Sequence, residues 1–489
     1  MSASKSPPTV AELSAAADLL LRDGQVEDGI SAYRTLLERA PMLADAWYNL
    51  AYLERCARRF DDALSSYGVA LSNGISSPED VHVNRAVILS EHLDRGAEAE
   101  AELQAAIAAK PDFLPAWLNL GLLNEDRGNR SGARAAYSRA AQIDPLNGRA
   151  HARLAAIDIA GGTADKAVAR LRVLLREPRL AVADTAELGF ALGNALDAVG
   201  DYDAAFMAFV AANSVAKMLI PPELRYQPDV QDQLVDDLIR TFSNDARHAE
   251  PGGGAPPVFI CGMFRSGSTL CERLLAQHSR VTAGGELETI PALVAARLQP
   301  YPAAFLSLSN ATLDSLRADC LRDVQTRFPV ADTLTDKRCD NVLHIGLIKT
   351  LFPEAKIVHT RRHAIDTILS VFFLHFDDGI AYGFSLDDAV HYYKSYRRLM
   401  DHWRTLYGDD ILDFDYDAVV RDPEQPMQSL LDFCGLEREA GCLTGQPADG
   451  VVRTASAWQV RQPLHARSSG RWRNYAAHIA DTIAALDGY

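Results

Sequence analysis

The stretch Pro257-Val-Phe-Ile-Cys-Gly-Met-Phe-Arg-Ser-Gly-Ser-Thr-Leu270 carries an apolar strand pattern into a glycine- and serine-rich turn. An amphipathic helix follows, with Leu270, Leu274 and Leu275 on one face. This order of elements makes a cradle for an anion. Amides from Ser266 to Thr269 sit where a helix begins, the helix dipole adds partial positive charge, and the hydroxyls of Ser266, Ser268 and Thr269 are further donors. Arg265, Ser266, Gly267, Ser268 and Thr269 are therefore the candidate anion-binding set. The spacing G-x-x-x-x-G-K-[ST] is absent, and with it the lysine and magnesium arrangement of the usual nucleoside triphosphatases. A strand–turn–helix that binds nothing is the plainer alternative.

Other segments carry chemistry of the same kind. Gly284-Gly-Glu-Leu-Glu288 puts two carboxylates after a turn-like glycine pair, and carboxylates near an anion site cost electrostatic energy unless they serve a purpose. Accepting the proton of an acceptor hydroxyl is such a purpose; a solvated helix start is the alternative. Thr335-Asp-Lys-Arg-Cys-Asp-Asn341 offers Lys337 ahead of an apolar helix pattern. The strand pattern Ala355–Thr360 ends on Arg361 and Arg362, and Ser370 lies eight residues beyond Arg362 in a helix, a two-point grip for a phosphate. Arg453–Pro463 and Ser468–Tyr475 are rich in donors and suit closure over an anion. His278, His344 and His391 have no second ligand or base partner at useful spacing and read as structural.

The R-S-G-[ST]-T turn resembles the 5′-phosphosulfate loop of the sulfotransferases that use 3′-phosphoadenosine 5′-phosphosulfate (PAPS). The later segments resemble that family in the same order. In its protein-tyrosine branch and in repeat-bearing bacterial members a G-E element carries the catalytic base, which implies Glu286 here, with Glu288 as a helical neighbour and the exchange of the two left open. Lys337 matches the lysine of a D-K-x-P-x-N segment, which contacts the bridging oxygen or sulfuryl group; Cys339 stands in place of the proline. Arg362 and Ser370 match the 3′-phosphate grip, with His363 and Ala364 where Asp-Pro is common. The T-A-S-x-x-Q-V-R-Q-P and S-x-G-R-W pair implies that Ser456 stabilises the transferring group and that Arg471 contacts the 3′-phosphate. Residues 410–435 are similar to a scaffolding segment of the family. The resemblance implies in-line sulfuryl transfer from PAPS, with Glu286 as base, Arg265, Lys337 and Ser456 stabilising charge, and no metal.

The elements that must position these residues fall into two classes. From about residue 10 to 213 the chain repeats with a period near 34 residues. In the clearest copy Trp117, Leu120, Gly121, Gly128, Ala133, Tyr137, Ala140 and Pro145 match the tetratricopeptide pattern, and Trp47, Leu50, Ala51, Ala63, Tyr67 and Ala70 repeat it. So do Leu192, Gly193, Gly200, Ala205, Phe209 and Ala212, and weaker copies bring the total to about six. Residues 214–254 read as a helical connector and linker, with a helix over Val230–Phe242 and a flexible joint at Pro251–Pro257. Residues 255–489 form the sulfotransferase-like part. The expected fold is an α-solenoid of tetratricopeptide repeats followed by a three-layer α/β P-loop-like domain with a mostly parallel sheet.

A formal net charge of −16 argues against a general nucleic-acid binder, so the basic clusters above stand out locally. Seven cysteines without paired spacing point to reduced, mostly buried thiols. No apolar run reaches membrane-spanning length and the first ten residues lack a signal-peptide core, from which a soluble, cytoplasmic protein is expected. The expected partners are a hydroxyl acceptor (peptide, glycan or small molecule) and a protein bound through the repeats. Two rival readings stay open at this stage: a nucleotide-dependent phosphotransferase and a non-catalytic repeat scaffold.

Overall fold

The structure is a computed structural model that describes residues 8–243, 248–376, 378–439, 442 and 468–488. Two compact units divide the chain, Met1–Ile157 and Asp158–Tyr489.

The repeats are antiparallel helix pairs: α1 Val10–Arg22 with α2 Val26–Arg39, α3 Ala44–Cys56 with α4 Phe60–Ser72, and α5 Pro78–Val87 with α6 Gly96–Ala109. Then come the pair α7 Leu114–Asp126 and α8 Arg130–Ile143, the helices α9 Gly148–Ala160 and α10 Ala164–Leu174, and the pair α11 Val182–Val199 and α12 Tyr202–Leu219. The small residues of the pattern lie where helices cross. A Cβ on Gly121 would meet the Tyr137 ring at 2.3 Å, and one on Gly193 would meet the Phe209 ring at 2.6 Å. The same offset thus solves the same packing problem in these two units: glycine on one helix admits an aromatic ring from its partner. Tyr67, Tyr137 and Phe209 are fully buried in these contacts, as core rather than ligand residues.

The second unit continues with α13 Pro228–Thr241, β1 Val258–Cys261, α14 Ser268–Leu275, β2 Val281–Thr282, α15 Thr289–Arg297 and α16 Asn310–Arg327. It completes with β3 Thr333–Lys337, α17 Ile345–Leu351, β4 Ile357–Arg361, α18 Ala364–Phe372, α19 Leu386–Tyr407, β5 Ile411–Asp415, α20 Tyr416–Val419, α21 Glu424–Cys434 and α22 Ala480–Ala485. The strands form one sheet in the order β2-β3-β1-β4-β5, and every pairing is parallel. A parallel sheet must be covered on both faces, which is why all four residues of β1 are buried. Val258 and Ile260 face Leu274 and Leu275 of α14 and Leu430 and Leu431 of α21. Phe259, on the opposite face, packs against Phe352 just after α17. These are the three layers expected from the sequence.

The last repeat pair and the connector are built into this unit. Asn213 of α12 donates to the Phe372 carbonyl at 2.8 Å, and Lys217 pairs with Asp388 of α19 at 3.1 Å. From α13, Asp232 accepts from Ser395 at 2.7 Å and Asp236 pairs with Arg398 at 2.8 Å. The glycine run read as a flexible joint is held: Arg317 of α16, itself buried, donates to the Gly252 carbonyl at 3.0 and 3.1 Å, and Gln325 donates to that of Gly253. Composition alone shows glycine's freedom but not a guanidinium arriving from a helix some 65 residues away.

Candidate active site

Parallel strands place all their C-terminal ends on one edge, and ligands of such sheets bind where the chain switches direction from one side of the starting strand to the other. Here that strand is β1, flanked by β3 and β4. The register sets Ile260 beside Lys337 and Cys261 beside His359, so the β1 turn, Lys337 and the Arg361-Arg362 pair emerge at one edge.

The turn from Gly262 to Gly267 needs its glycines. Gly262 has φ 149°, and a Cβ there would lie 2.5 Å from the Thr360 carbonyl and 2.8 Å from the Ser266 hydroxyl. Gly267 has φ 106°, and its Cβ would strike the Tyr416 ring at 2.8 Å. Arg265 also adopts a left-handed conformation, φ 71°. Such a conformation costs a non-glycine residue energy, and one retained beside a charged cluster marks a candidate functional position. Ser266 is buried, its hydroxyl 2.7 Å from that of Thr360, which in turn donates to the Cys261 carbonyl. Ser268 lies with its hydroxyl 3.4 Å from the Cys339 thiol. These two serine hydroxyls brace the turn, and Ser268 begins α14.

Three guanidiniums act on one another here. Arg265 donates through Nε to Ser370 at 3.0 Å, joining the cradle to the second point of the phosphate grip. Burial and the charge of Arg362 push Arg265 down to about 10. Burial likewise lowers Arg362, which donates to the Arg265 and Ser468 carbonyls and stacks over the Tyr416 ring at 5.2 Å. Among the described residues its Nε is buried without a hydrogen-bond partner. Arg471 contributes to the repulsion on both, while its own guanidinium pairs with Asp197 of α11 at 2.9 Å. An orphaned guanidinium nitrogen and repelling cations are what a protein leaves for an anion to satisfy.

At the end of β3, Lys337 is buried and its ammonium lies 2.5 Å from the Glu286 carboxylate, which is half-exposed. Burial opposes charge on Lys337, yet Glu286 outweighs it and the ammonium is held above its ordinary range. The Gly284-Gly285 turn that carries Glu286 is fixed from behind: the Gly285 amide donates to buried Glu272 at 3.0 Å, and Thr335 donates to the same carboxylate at 2.7 Å. Glu288 points elsewhere, to Arg338 at 2.7 Å, and Arg338 also pairs with Asp340. The two carboxylates left interchangeable by sequence thus have different partners. Asp336 is buried beside this turn, accepts from the Leu287 amide at 3.4 Å, and burial pushes it up to about 7.

Arg265, Ser266, Gly267, Ser268, Thr269, Arg362 and Ser370 lie on the connected β1–β4 edge, with Glu286 and Lys337 on the β3 side. Ser456 lies outside the described residues. Sequence reasoning passed over Glu272, Thr360, Tyr416 and Asp366. Glu272 carries a readable sign, a carboxylate between the apolar positions of α14; Thr360 and Tyr416 act only through contacts that the sheet creates. His278 is bonded to the Glu437 carbonyl, and His391 to Tyr226 and, unlike the expectation that it lacks a partner, to Asp232 of α13 at 3.3 Å.

Comparison with known proteins bears directly on this edge. Residues 256–440 match the family described as Sulfotransferase family, and residues 14–78 and 93–148 match Tetratricopeptide repeat. The chain joins tetratricopeptide repeats to a sulfotransferase-family domain. An uncharacterized protein of Aquifex aeolicus is 29% identical over 338 residues, covering 66% of this chain and 44% of that one. A protein-tyrosine sulfotransferase of Drosophila melanogaster is 24% identical over 271 residues, covering 50% of each. The chain thus spans about half the length of these relatives. The sulfotransferase domain of the Synechococcus PCC 7002 olefin synthase is 23% identical, covers 49% of this chain and 97% of that domain, and has a TM-score of 0.37. The sulfotransferase-family match contains the β1 turn, Glu286, Lys337, Arg362 and Ser370, and stops before Arg471.

Proposed function

We propose that the chain transfers a sulfuryl group from PAPS to an acceptor hydroxyl, with a tyrosine-bearing peptide as the acceptor class favoured by the named relatives. The observation that carries this reading is buried Lys337 paired with half-exposed Glu286 on the same sheet edge as Arg362, whose buried Nε has no hydrogen-bond partner among the described residues. The residues fit the donor: a glycine turn that no Cβ could share, serine hydroxyls at a helix start, and repelling guanidiniums suited to two anionic ends. When bound, the donor supplies an already activated sulfuryl group.

The amides from Ser266 to Thr269 and the Thr269 hydroxyl hold the 5′ anion on a turn braced by the Ser266 and Ser268 hydroxyls, and Arg362 with Ser370 holds the 3′-phosphate. Glu286 accepts the proton of the acceptor hydroxyl at its carboxylate oxygen. Lys337 donates to that carboxylate beforehand and faces the negative charge that grows on the departing oxygen, with Arg265 and Ser456 as the further charge-stabilising residues. The repeats present a surface to a protein partner or to the acceptor.

Calorimetric titration with 3′-phosphoadenosine 5′-phosphate, beside ATP, tests the donor assignment. The native protein is expected to bind the bisphosphate more tightly than ATP, and Arg362→Ala to weaken it about tenfold or more, as for loss of a charge-assisted contact. A preference for ATP with magnesium, or indifference to Arg362→Ala, would overturn the reading.

A further inference from the structure

The C-terminal segment from Ser468 to Tyr475 is tied to two different elements. Asp366 of α18 accepts from the Gly470 amide at 2.6 Å and the Trp472 amide at 2.9 Å, gripping the backbone on either side of Arg471. The Trp472 ring stacks on His363, their centroids 5.4 Å apart. The head of Arg471 is held separately. One oxygen of Asp197 accepts from its Nε at 3.1 Å and lies 2.9 Å from its Nη2, while the guanidinium rests over the Phe373 ring at 5.1 Å. The Tyr475 hydroxyl donates to the same oxygen. Neither partner is fully buried: Arg471 is 28% exposed and Asp197 21%.

A guanidinium has five N–H donors in a rigid fork, and Asp197 engages only its Nε and Nη2 edge. Among the described residues only Asp197 and the Tyr475 hydroxyl engage the guanidinium, which leaves donors for a second anion, and the Arg471 charge already bears on Arg265 and Arg362. A long side chain fixed at its root by Asp366 and at its head by Asp197 meets an anion without first losing its rotamer freedom. Asp197 belongs to α11, outside the residues that match the sulfotransferase family.

We propose that Asp197 is a positioning residue for the nucleotide donor: through Arg471 it sets the affinity for a 3′-phosphate, so that the last repeat pair is part of the donor site. This rests on the donor reading above. It makes a helix of the repeat array responsible for telling a nucleotide with a 3′-phosphate from one without.

The test compares 3′-phosphoadenosine 5′-phosphate with AMP, which lacks the 3′-phosphate, by calorimetry on the full chain. Asp197→Ala is expected to cut the affinity ratio of the two about tenfold with AMP affinity within about twofold, the scale of losing a supporting partner. Asp197→Asn, which keeps an oxygen acceptor, should hold the ratio within about threefold of native. In the Arg471→Ala background Asp197→Ala should change the ratio no further, because the two act as one unit. If Asp197→Ala does not fold, Asp197→Ser carries the same comparison. An unchanged ratio, equal weakening of both ligands, or additive losses with Arg471→Ala would overturn the positioning role while leaving the donor reading intact. A native protein that binds neither nucleotide would instead overturn the donor reading, and the positioning role with it.

Discussion

Lys337 shows how a buried ammonium is kept charged in a poor environment. A buried ammonium is costly to keep, and the half-exposed carboxylate beside it more than offsets that cost. Glu288, two residues on, is bound to Arg338, which retains Asp340 if Glu288 is lost. Glu286→Ala should therefore lower turnover by about 100-fold or more while leaving donor affinity nearly intact, as expected for a general base. Glu288→Ala should leave turnover within about threefold of native, the scale of losing an exposed ion pair. Sulfate transfer from labelled PAPS to a tyrosine peptide measures both; a reversed order would move the base to Glu288.

At the scale of elements, strand β4 carries a polar group into the core. His359 is fully buried, with Nδ1 2.7 Å from Asp413 of β5 and Nε2 bonded to the Tyr396 hydroxyl of α19. Burial holds its imidazole down at about 4 despite Asp413, whose charge is shared with Arg404 and Arg361. An unfolded histidine titrates near 6.5, so the unfolded chain takes up a proton that the folded chain refuses between about pH 6.5 and 4. The stability from neutral His359 is complete above that window and is lost as pH falls through it. Scanning calorimetry from pH 7.5 to 4 should show this loss in the native protein. In His359→Gln the Tm at pH 7 should be lower, but the slope across the window should flatten. An equal slope in both proteins would show that this network does not set the acid response.

Over the whole molecule, the compact unit that holds the candidate active site begins at Asp158, well before the sulfotransferase-family match. Asn213, Lys217 and Asp197 all bond to residues beyond 360, and His375 pairs with Glu187 of α11 at 2.9 Å and stacks on Phe190. A fragment starting at Gly161 should fold cooperatively and bind 3′-phosphoadenosine 5′-phosphate within about threefold of the full chain, as a domain with its own core does. One starting at Ala255 strips α11, α12 and α13 from the faces they cover and should be aggregated or unfolded. Circular dichroism and calorimetry on the two fragments check this, and a well-folded fragment from Ala255 would show the last repeat pair to be dispensable.

The sequence by itself determined the repeat periodicity, the strand–turn–helix of the cradle, and the residue types at Glu286, Lys337, Arg362 and Ser370. Each is a local pattern, fixed by side-chain period or by what a turn can sterically accept, and so is written in consecutive residues. Tertiary structure alone decided which carboxylate meets Lys337, that Gly262 and Gly267 are pressed by Thr360 and Tyr416, and that Arg471 is held by a helix more than 270 residues earlier. Those facts depend on distant segments brought together by the parallel sheet and by α11, and no local pattern encodes a contact whose two halves lie at opposite ends of a unit.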